Sequence, residues 1–262
     1  VSNQPFATPS FGKPTTWTPT GTFGRYTIER QLGLGGMAQI WRARVDGESE
    51  CVVLKTALPH LAADPAFSAM FVREAALSIQ FSHPNIVAVQ DIGAIDGRFF
   101  IEMEYVVGRT LRQLMRKVGQ DNSFLGLDFV LTVMIDCCNA LDYVHSFCDL
   151  SGHTLGLVHR DLSPENLMVS ASGLTKLLDF GIASSDVASN LTQAGQLKGK
   201  LHYMAPEVFL GARPDPQRDI YALGVTLFEL LTGRRPFDAK NDAELMFSIS
   251  KGEMVEPTRY RP

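Results

Sequence analysis

Apolar and polar residues alternate in short runs over the first part of this chain and recur with a helical period over the rest. Residues 1–24 carry neither pattern. They are rich in Pro, Thr, Ser and Gly with single Phe and Trp residues, and they read as a flexible leader. Its threonines at 15, 16, 18, 20 and 22 are either solvated linker or accessible hydroxyls for modification. Alternation starts at Tyr26 and runs to Leu32, then breaks at glycines. It resumes over Gln39–Val45, turns at Asp46-Gly47, and continues in a third strand, Cys51–Thr56. Ile86–Gly93 and Arg98–Val106 read as two further strands joined by an Asp96-Gly97 turn.

Helical periods frame and follow these strands. Asp64-Pro65 opens a helix, with Asp as cap and Pro in the first turn. Phe67, Met70, Phe71 and Ser78 share one face of it with Glu74. A carboxylate inside an apolar stripe is costly without a cation, so a lysine partner is expected. Asp128 is expected to cap a helix whose apolar positions are 130, 133, 134, 137, 140, 141 and 144. Ile220–Leu231 is apolar nearly all round, ends at Thr232-Gly233, and reads as a central buried helix. Strands first and helices later predict a two-lobed α+β architecture.

Composition narrows the function classes. The 262 residues, 45% hydrophobic and 20% charged, are those of an ordinary globular protein. A net charge of −4 gives no electrostatic case for nucleic acid or an anionic membrane. No stretch reaches the ~20 apolar residues of a membrane span, and no signal peptide is visible. Cys51, Cys137, Cys138 and Cys148 have neither zinc nor disulfide spacing, which fits reduced thiols in the cytoplasm. The chain starts at Val1 and stops in a loop at Pro262, so it reads as a fragment of a longer protein, any membrane anchor lying outside it.

The candidate chemistry is a set of residues in fixed order. It comprises Gly33-Leu34-Gly35-Gly36, Lys55, Glu74, His159-Arg160-Asp161, Asn166, Asp179-Phe180-Gly181 and Ala205-Pro206-Glu207. The glycine turn is followed by a strand, whereas a dinucleotide-binding turn is followed by a helix. From about Arg25 to the end, the chain resembles a bacterial eukaryotic-like (Hanks-type) Ser/Thr protein kinase domain. The resemblance implies a bilobal protein-kinase-like fold over 25–262. A small antiparallel β N-lobe with one helix would cover about 25–105. A larger, mainly helical C-lobe lacking its last helices would cover about 106–262.

The resemblance also assigns roles. ATP would lie under Leu32, Gly33, Gly35, Gly36 and Ala38, the last in place of a third family glycine. Ile40 would roof the adenine, Val53 would stand beside it in place of an alanine, and Met168 would form the floor. Lys55 would bind the α- and β-phosphates and pair with Glu74. Main-chain groups of Glu104 and Val106 would meet the adenine edge, with Met103 guarding the back pocket. Asp161 would accept the substrate hydroxyl proton. Asn166 and Asp179 would hold Mg²⁺, with Mn²⁺ as the alternative. His159 and Phe180 would only pack. Asp219 would brace the catalytic loop. Partners implied are a protein substrate and the chain itself, by autophosphorylation. Glu165 and Glu229 match positions that face substrate arginines in basic-directed relatives, or else make structural hydrogen bonds.

Two positions depart from the family. Ser163 replaces a lysine, and Lys200 replaces a threonine that meets that lysine beside the catalytic Asp. Either Lys200 supplies the missing ammonium near Asp161, or Ser163 weakens catalysis and Lys200 faces solvent. Thr192 is the phosphorylation candidate of the activation loop, with Arg160 as its phosphate partner. Ser184 leaves out a second basic residue usual there. Three rivals stay open: a pseudokinase scaffold, against which Lys55, Asp161 and Asp179 are all present; a small-molecule kinase; and a domain inactive because Glu207 lacks the arginine it pairs with in the family.

Overall fold

A computed structural model describes residues 21–121, 123–149, 151–180 and 197–261. They form two compact units. The first comprises the chain up to Gln80 with Ala88–Tyr105, and the second comprises Phe81–Val87 with the chain from Val106 onward.

The first unit is a six-stranded antiparallel sheet. Its strands are β1 (Gly21–Phe23), β2 (Tyr26–Leu34), β3 (Ala38–Val45), β4 (Cys51–Ala57), β5 (Val89–Ile95) and β6 (Arg98–Glu104). Their order in space is β1-β2-β3-β4-β6-β5. Side chains alternate between the faces of a sheet. One face buries Tyr26, Ile28, Trp41, Ala43, Val52, Leu54 and Phe100 as a core. On the other face the register sets Ile40 opposite Lys55, Lys55 opposite Ile101, and Val53 opposite Met103. Asp96 and Gly97 join β5 to β6 with φ values of 50° and 75°, the left-handed pair that a two-residue hairpin requires.

Two expectations shift here. Residues 21–23, expected to belong to the leader, form β1. Phe23 is buried and sets its ring edge-on against Phe100, 5.8 Å between centroids. A three-residue strand has no period to read, so this burial leaves no sequence signal. The strand expected over Ile86–Gly93 begins only at Val89. Main-chain hydrogen bonds from Leu177 N–H to Asn85 O (2.8 Å) and from Val87 N–H to Leu177 O (2.9 Å) divert that segment to the second unit.

Ahead of β5 lie a single turn, α1 (Pro59–Ala62), and α2 (Pro65–Ser78). Asp64 caps α2 by accepting from Ala66 N–H at 2.9 Å, as its sequence predicts. Phe67, Phe71, Ala75 and Ser78 are its buried positions, and Glu74 shares their face.

In the second unit β7 (Gly108–Thr110), β8 (Leu167–Ser170) and β9 (Thr175–Leu177) form a small sheet. α3 (Leu111–Gln120) starts at a capping box between Thr110 and Gln113. α4 (Leu127–His145) buries Val130, Val133, Cys137, Ala140, Leu141 and Val144 on the predicted face. Gly126 is its cap, and Asp128 sits instead in the first turn, where a carboxylate meets the positive end of the helix dipole.

Two short helices follow, α5 (Leu197–Lys200) and α6 (Pro206–Phe209), with a 3₁₀ turn at Leu201–Tyr203 between them. α7 (Gln217–Thr232) is buried over most of its length, although Ile220 is 54% exposed. It stops at Gly233, whose φ of 68° suits glycine. α8 (Asp242–Lys251) packs Leu245 and Ile249 on Leu201 and Phe237.

Phe23→Ala is expected to lower unfolding stability by about 3–5 kcal/mol, the cost of emptying a buried aromatic site. Urea denaturation measures it. A change under about 0.5 kcal/mol, the range of an ordinary surface substitution, would return Phe23 to the leader.

Candidate active site

In the first unit β2 turns into β3 at Gly35–Met37, closed by Gly35 N–H donating to Ala38 O at 2.9 Å. A Cβ on Gly33 would come no closer than 4.0 Å to any neighbour, so the bare backbone of the turn is open to approach. Lys55 Nζ lies 3.2 Å from Glu74 Oε1, with only 14% and 15% of the two side chains exposed. The cation expected for the Glu74 carboxylate is therefore Lys55. Ile40, Val53, Lys55 and Met103, to which the family resemblance assigns nucleotide contacts, share one face of the sheet by register. Ala38 is buried beside the turn, and Leu32 is 38% exposed. Glu104 is more than a solvated strand end: its Oε1 accepts from Ala88 N–H at 2.8 Å.

In the second unit the loop from His159 to Asn166 is locked from below by α7. Asp219, 1% exposed, accepts from His159 N–H at 2.7 Å and Arg160 N–H at 2.9 Å. Its Oδ2 also meets His145 Nε2 at 2.9 Å. Arg160 takes a φ of 66°, a conformation side chains rarely hold unless the surroundings fix it. Asp219 has the bracing role its sequence position suggests. The buried His159 ring contacts Phe180, and its Nε2 lies 2.9 Å from Leu178 O, so both aromatics pack as expected.

The loop presents Asp161. Asn166 Nδ2 donates to Asp161 Oδ2 at 2.8 Å and to Asp161 O at 2.7 Å. Lys200 Nζ reaches the same Oδ2 at 2.6 Å from the end of α5. Leu178 N–H donates to Asn166 O at 2.9 Å, which holds Asp179 one residue from that contact, at a φ of 37°. Asn166 spends its amide nitrogen on Asp161, which leaves the amide oxygen to meet a cation. An amide oxygen and a carboxylate fit Mg²⁺, which takes few protein ligands and completes its shell with phosphate oxygens and water. No group of three or more His, Cys, Asp or Glu suited to a metal occurs among the described residues.

At two places the structure adds to the expectations. Ser163 is buried, at 3% exposure, and Lys200 reaches Asp161 Oδ2 instead. The exchange of side chains across one contact is therefore realised only on the Lys200 side. Glu165 and Glu229 are held by a residue the sequence reading passed over. Arg112 Nε lies 2.7 Å from Glu165 Oε1, and its Nη1 lies 2.6 Å from Glu229 Oε1. The Tyr203 hydroxyl bonds both Arg112 and Glu229. Partial burial pushes the Glu165 carboxyl up, but the Arg112 hydrogen bond and charge outweigh it and leave it below the usual range. Burial pulls the Arg112 guanidinium down, and the Glu229 and Glu165 bonds reverse this, leaving it above its ordinary value. The Thr110-x-x-Gln113 capping signature was the legible clue, since it starts α3 and sets Arg112 in the first turn. Val106 is buried and Met168 lies on β8. Gly181, Ser184 and Thr192 lie outside the described residues.

The sequence model of the family described as protein kinase domain matches residues 26–259. The chain belongs to that family. It is 41% identical over 243 residues to a tyrosine-protein kinase, MasK, of Myxococcus xanthus, covering 92% of this chain and 38% of MasK. It is 38% identical to a probable serine/threonine-protein kinase, PknB, of Lactococcus lactis, over 82% of this chain and 32% of PknB. With serine/threonine-protein kinase PknD of Mycobacterium tuberculosis it shares 35% identity, over 92% of this chain and 34% of PknD. The chain thus spans about a third of the length of these curated relatives. Among solved structures, the M. tuberculosis PknI kinase domain superposes with a TM-score of 0.70 at 31% identity, covering 94% of this chain and 85% of that one.

Asp219→Asn replaces one acceptor oxygen with a donor against the loop amides. It is expected to cost about 1–3 kcal/mol, the penalty of an unsatisfied buried group. Thermal unfolding reads this, and an unchanged melting temperature would contradict the bracing role.

Proposed function

We propose that this chain is the catalytic domain of a serine/threonine protein kinase, moving the γ-phosphoryl group of ATP to a protein hydroxyl. The observation that carries the reading is the Asp161 carboxylate, fixed between Asn166 and Lys200 on a loop braced by Asp219. The serine/threonine names of two relatives at 35–38% identity support the acceptor class.

In the first unit, the turn at Gly33–Gly36 offers backbone N–H groups to the phosphates. Lys55, oriented by Glu74, binds the α- and β-phosphates. Ile40, Val53 and Met103 of this unit take the adenine contacts, with main-chain groups of Glu104, while Met168 and Val106 of the second unit are the residues that the family resemblance assigns to its floor and edge. In the second unit, Asp161 orients the acceptor hydroxyl and takes its proton. The acceptor oxygen then bonds to the γ-phosphorus as the bond to the β–γ bridging oxygen breaks, and ADP leaves with that electron pair. Mg²⁺, or Mn²⁺ in its place, held by Asn166 and Asp179, would neutralise phosphate charge. Lys200 is a further catalytic residue on this reading. Its ammonium, 2.6 Å from Asp161 Oδ2, supplies positive charge at the base where Ser163 supplies none.

Autophosphorylation at Thr192, with Arg160 as phosphate partner, belongs to the same proposal. So does action in the cytoplasm, where ATP is abundant and the four free cysteines stay reduced. No helix among the described residues is long and apolar enough to cross a membrane. The 41% identity to a relative named a tyrosine-protein kinase supports a second reading, transfer to tyrosine. Phosphoamino-acid analysis of a labelled protein substrate separates the two: phosphoserine or phosphothreonine is expected, and phosphotyrosine alone would reverse the assignment.

Lys200→Thr is expected to lower kcat by about 10²-fold, the scale of one lost charge-stabilising group. Adding Ser163→Lys is expected to restore it in part. Steady-state kinetics reads both, and an unchanged kcat in Lys200→Thr would remove Lys200 from the mechanism.

A further inference from the structure

Glu102 puts a carboxylate into the apolar side of the first unit's sheet. It lies one residue before Met103 in β6, and alternation turns it to the opposite face. That face is the core of Tyr26, Leu54 and Phe100, and Glu102 is only 6% exposed there. Register sets it directly opposite Asp91 of β5. Like charges across a strand pair repel, and burial adds the cost of desolvating them. No step of phosphoryl transfer calls for a carboxylate pair at this place.

Arg25, in the turn between β1 and β2, joins the two carboxylates. A single nitrogen, Nη2, lies 2.7 Å from Glu102 Oε2 and 2.9 Å from Asp91 Oδ2. The hydroxyl of the fully buried Tyr26 donates to the same Glu102 Oε2 at 2.5 Å. Burial pushes that hydroxyl well above the ordinary phenol range, and the bond to Glu102 adds to this, so it stays a donor. Asp91 is fixed by its own strand, its Oδ1 accepting from Ile92 N–H at 2.8 Å. Among the described residues no second cation reaches either carboxylate.

The clamp stands where the β5–β6 ladder slips. Pairing is regular from Ile95 and Arg98 to Asp91 and Glu102, after which Val89 pairs with Met103 and Gln90 is left over. Such a bulge leaves its extra residue unpaired and bends the strand. The slip therefore falls between Glu102 and Met103, the residue given to the adenine. Side chains tie β6 to β5 on both sides of it. Glu102 is tied through Arg25, and Glu104 is tied to Ala88, whose O accepts from Glu104 N–H at 3.0 Å and whose N–H donates to Glu104 Oε1 at 2.8 Å. On its β4 side the same stretch keeps a regular ladder, so the clamp secures the side that lacks one.

We infer that Arg25 is a positioning residue for nucleotide binding: by joining Glu102 to Asp91 it closes the slip in the ladder and fixes the strand end that carries Met103 and Glu104. The inference rests on the proposed kinase reading for the word nucleotide, and on the geometry alone for the clamp. Without Arg25, the buried Glu102 keeps only the Tyr26 hydroxyl and faces Asp91 with no cation between them, so the strands part at the bulge. One nitrogen makes both contacts, so a lysine ammonium can take the place of the guanidinium.

Two measurements test this. The first needs no nucleotide. Hydrogen–deuterium exchange over residues 99–105 is expected to be faster in Arg25→Ala than in wild type, and unchanged in Arg25→Lys. Adding Asp91→Asn to Arg25→Ala removes one of the opposed charges and puts an amide donor beside Glu102, and it is expected to slow the exchange again. Equal exchange in Arg25→Ala and wild type overturns the clamp. If Arg25→Ala has no cooperative melt, Arg25→Gln, which keeps the stem, is measured in the same way.

The second measurement is ATP binding and steady-state transfer to a protein substrate, well below the melting temperature of each variant. Arg25→Ala is expected to raise both the Kd and the KM for ATP by about tenfold, the effect of displacing a binding surface from a distance, with kcat unchanged. Arg25→Lys, and Arg25→Ala with Asp91→Asn, are expected to recover most of the affinity. A folded Arg25→Ala with the wild-type Kd and KM, or one whose kcat falls while KM stays, overturns the positioning role. Failure of wild type to bind ATP sinks the kinase reading instead, and the exchange result then decides the clamp alone.

Discussion

A single buried carboxylate decides whether the loop bearing Asp161 has one conformation. Asp219 sits in the first turn of α7 and accepts from the backbone N–H groups of His159 and Arg160. Those amides have no strand or helix of their own to satisfy them, and an unpaired buried amide is expensive. Asp219 satisfies both while Arg160 occupies a left-handed conformation. The strain is local and the payback is positional, because the next residue is Asp161. α7 can supply this brace because apolar burial along Ala222–Leu230 anchors it independently of the loop.

The same logic, a rigid apolar element carrying one polar group to a fixed place, recurs in each unit. β4 is held in the middle of a six-stranded sheet and delivers Lys55, while α2 delivers Glu74 from the stripe that buries Phe67 and Phe71. Neither charge is fully solvated, so each defines the orientation of the other. In the second unit the capping box that starts α3 sets Arg112 against Glu165 and Glu229. Positions of charge here are consequences of packing and not of surface ion pairing, which contributes little on its own.

Most of this was legible in the sequence where a pattern was long. The strands from Tyr26 to Glu104, the capped helix after Asp64 and the buried faces of α4 and α7 all follow from periodicity. The cost of a carboxylate in an apolar stripe called for a lysine beside Glu74, and the family resemblance named Lys55. What escaped was short or non-local. β1 is three residues held by Phe23 against Phe100. β7, β8 and β9 are three or four residues each. Arg112 reaches its partners across 53 and 117 positions of sequence, and no local period reports such a pairing. Glu165 and Glu229 were read as facing a substrate arginine or as making structural hydrogen bonds, and in the structure they bond Arg112 of the chain itself. Lys200 was read from its departure at one position, and the 2.6 Å contact to Asp161 is where that departure leads.

The account turns on Asp161 as the group that receives the acceptor proton. The most direct measurement is single-turnover transfer from γ-labelled ATP to a protein substrate, by wild type and by Asp161→Asn, which keeps the shape and removes the base. The account predicts rapid label transfer by wild type and a fall of about 10²-fold or more in the variant, with ATP still bound. Equal rates from the two proteins would contradict it.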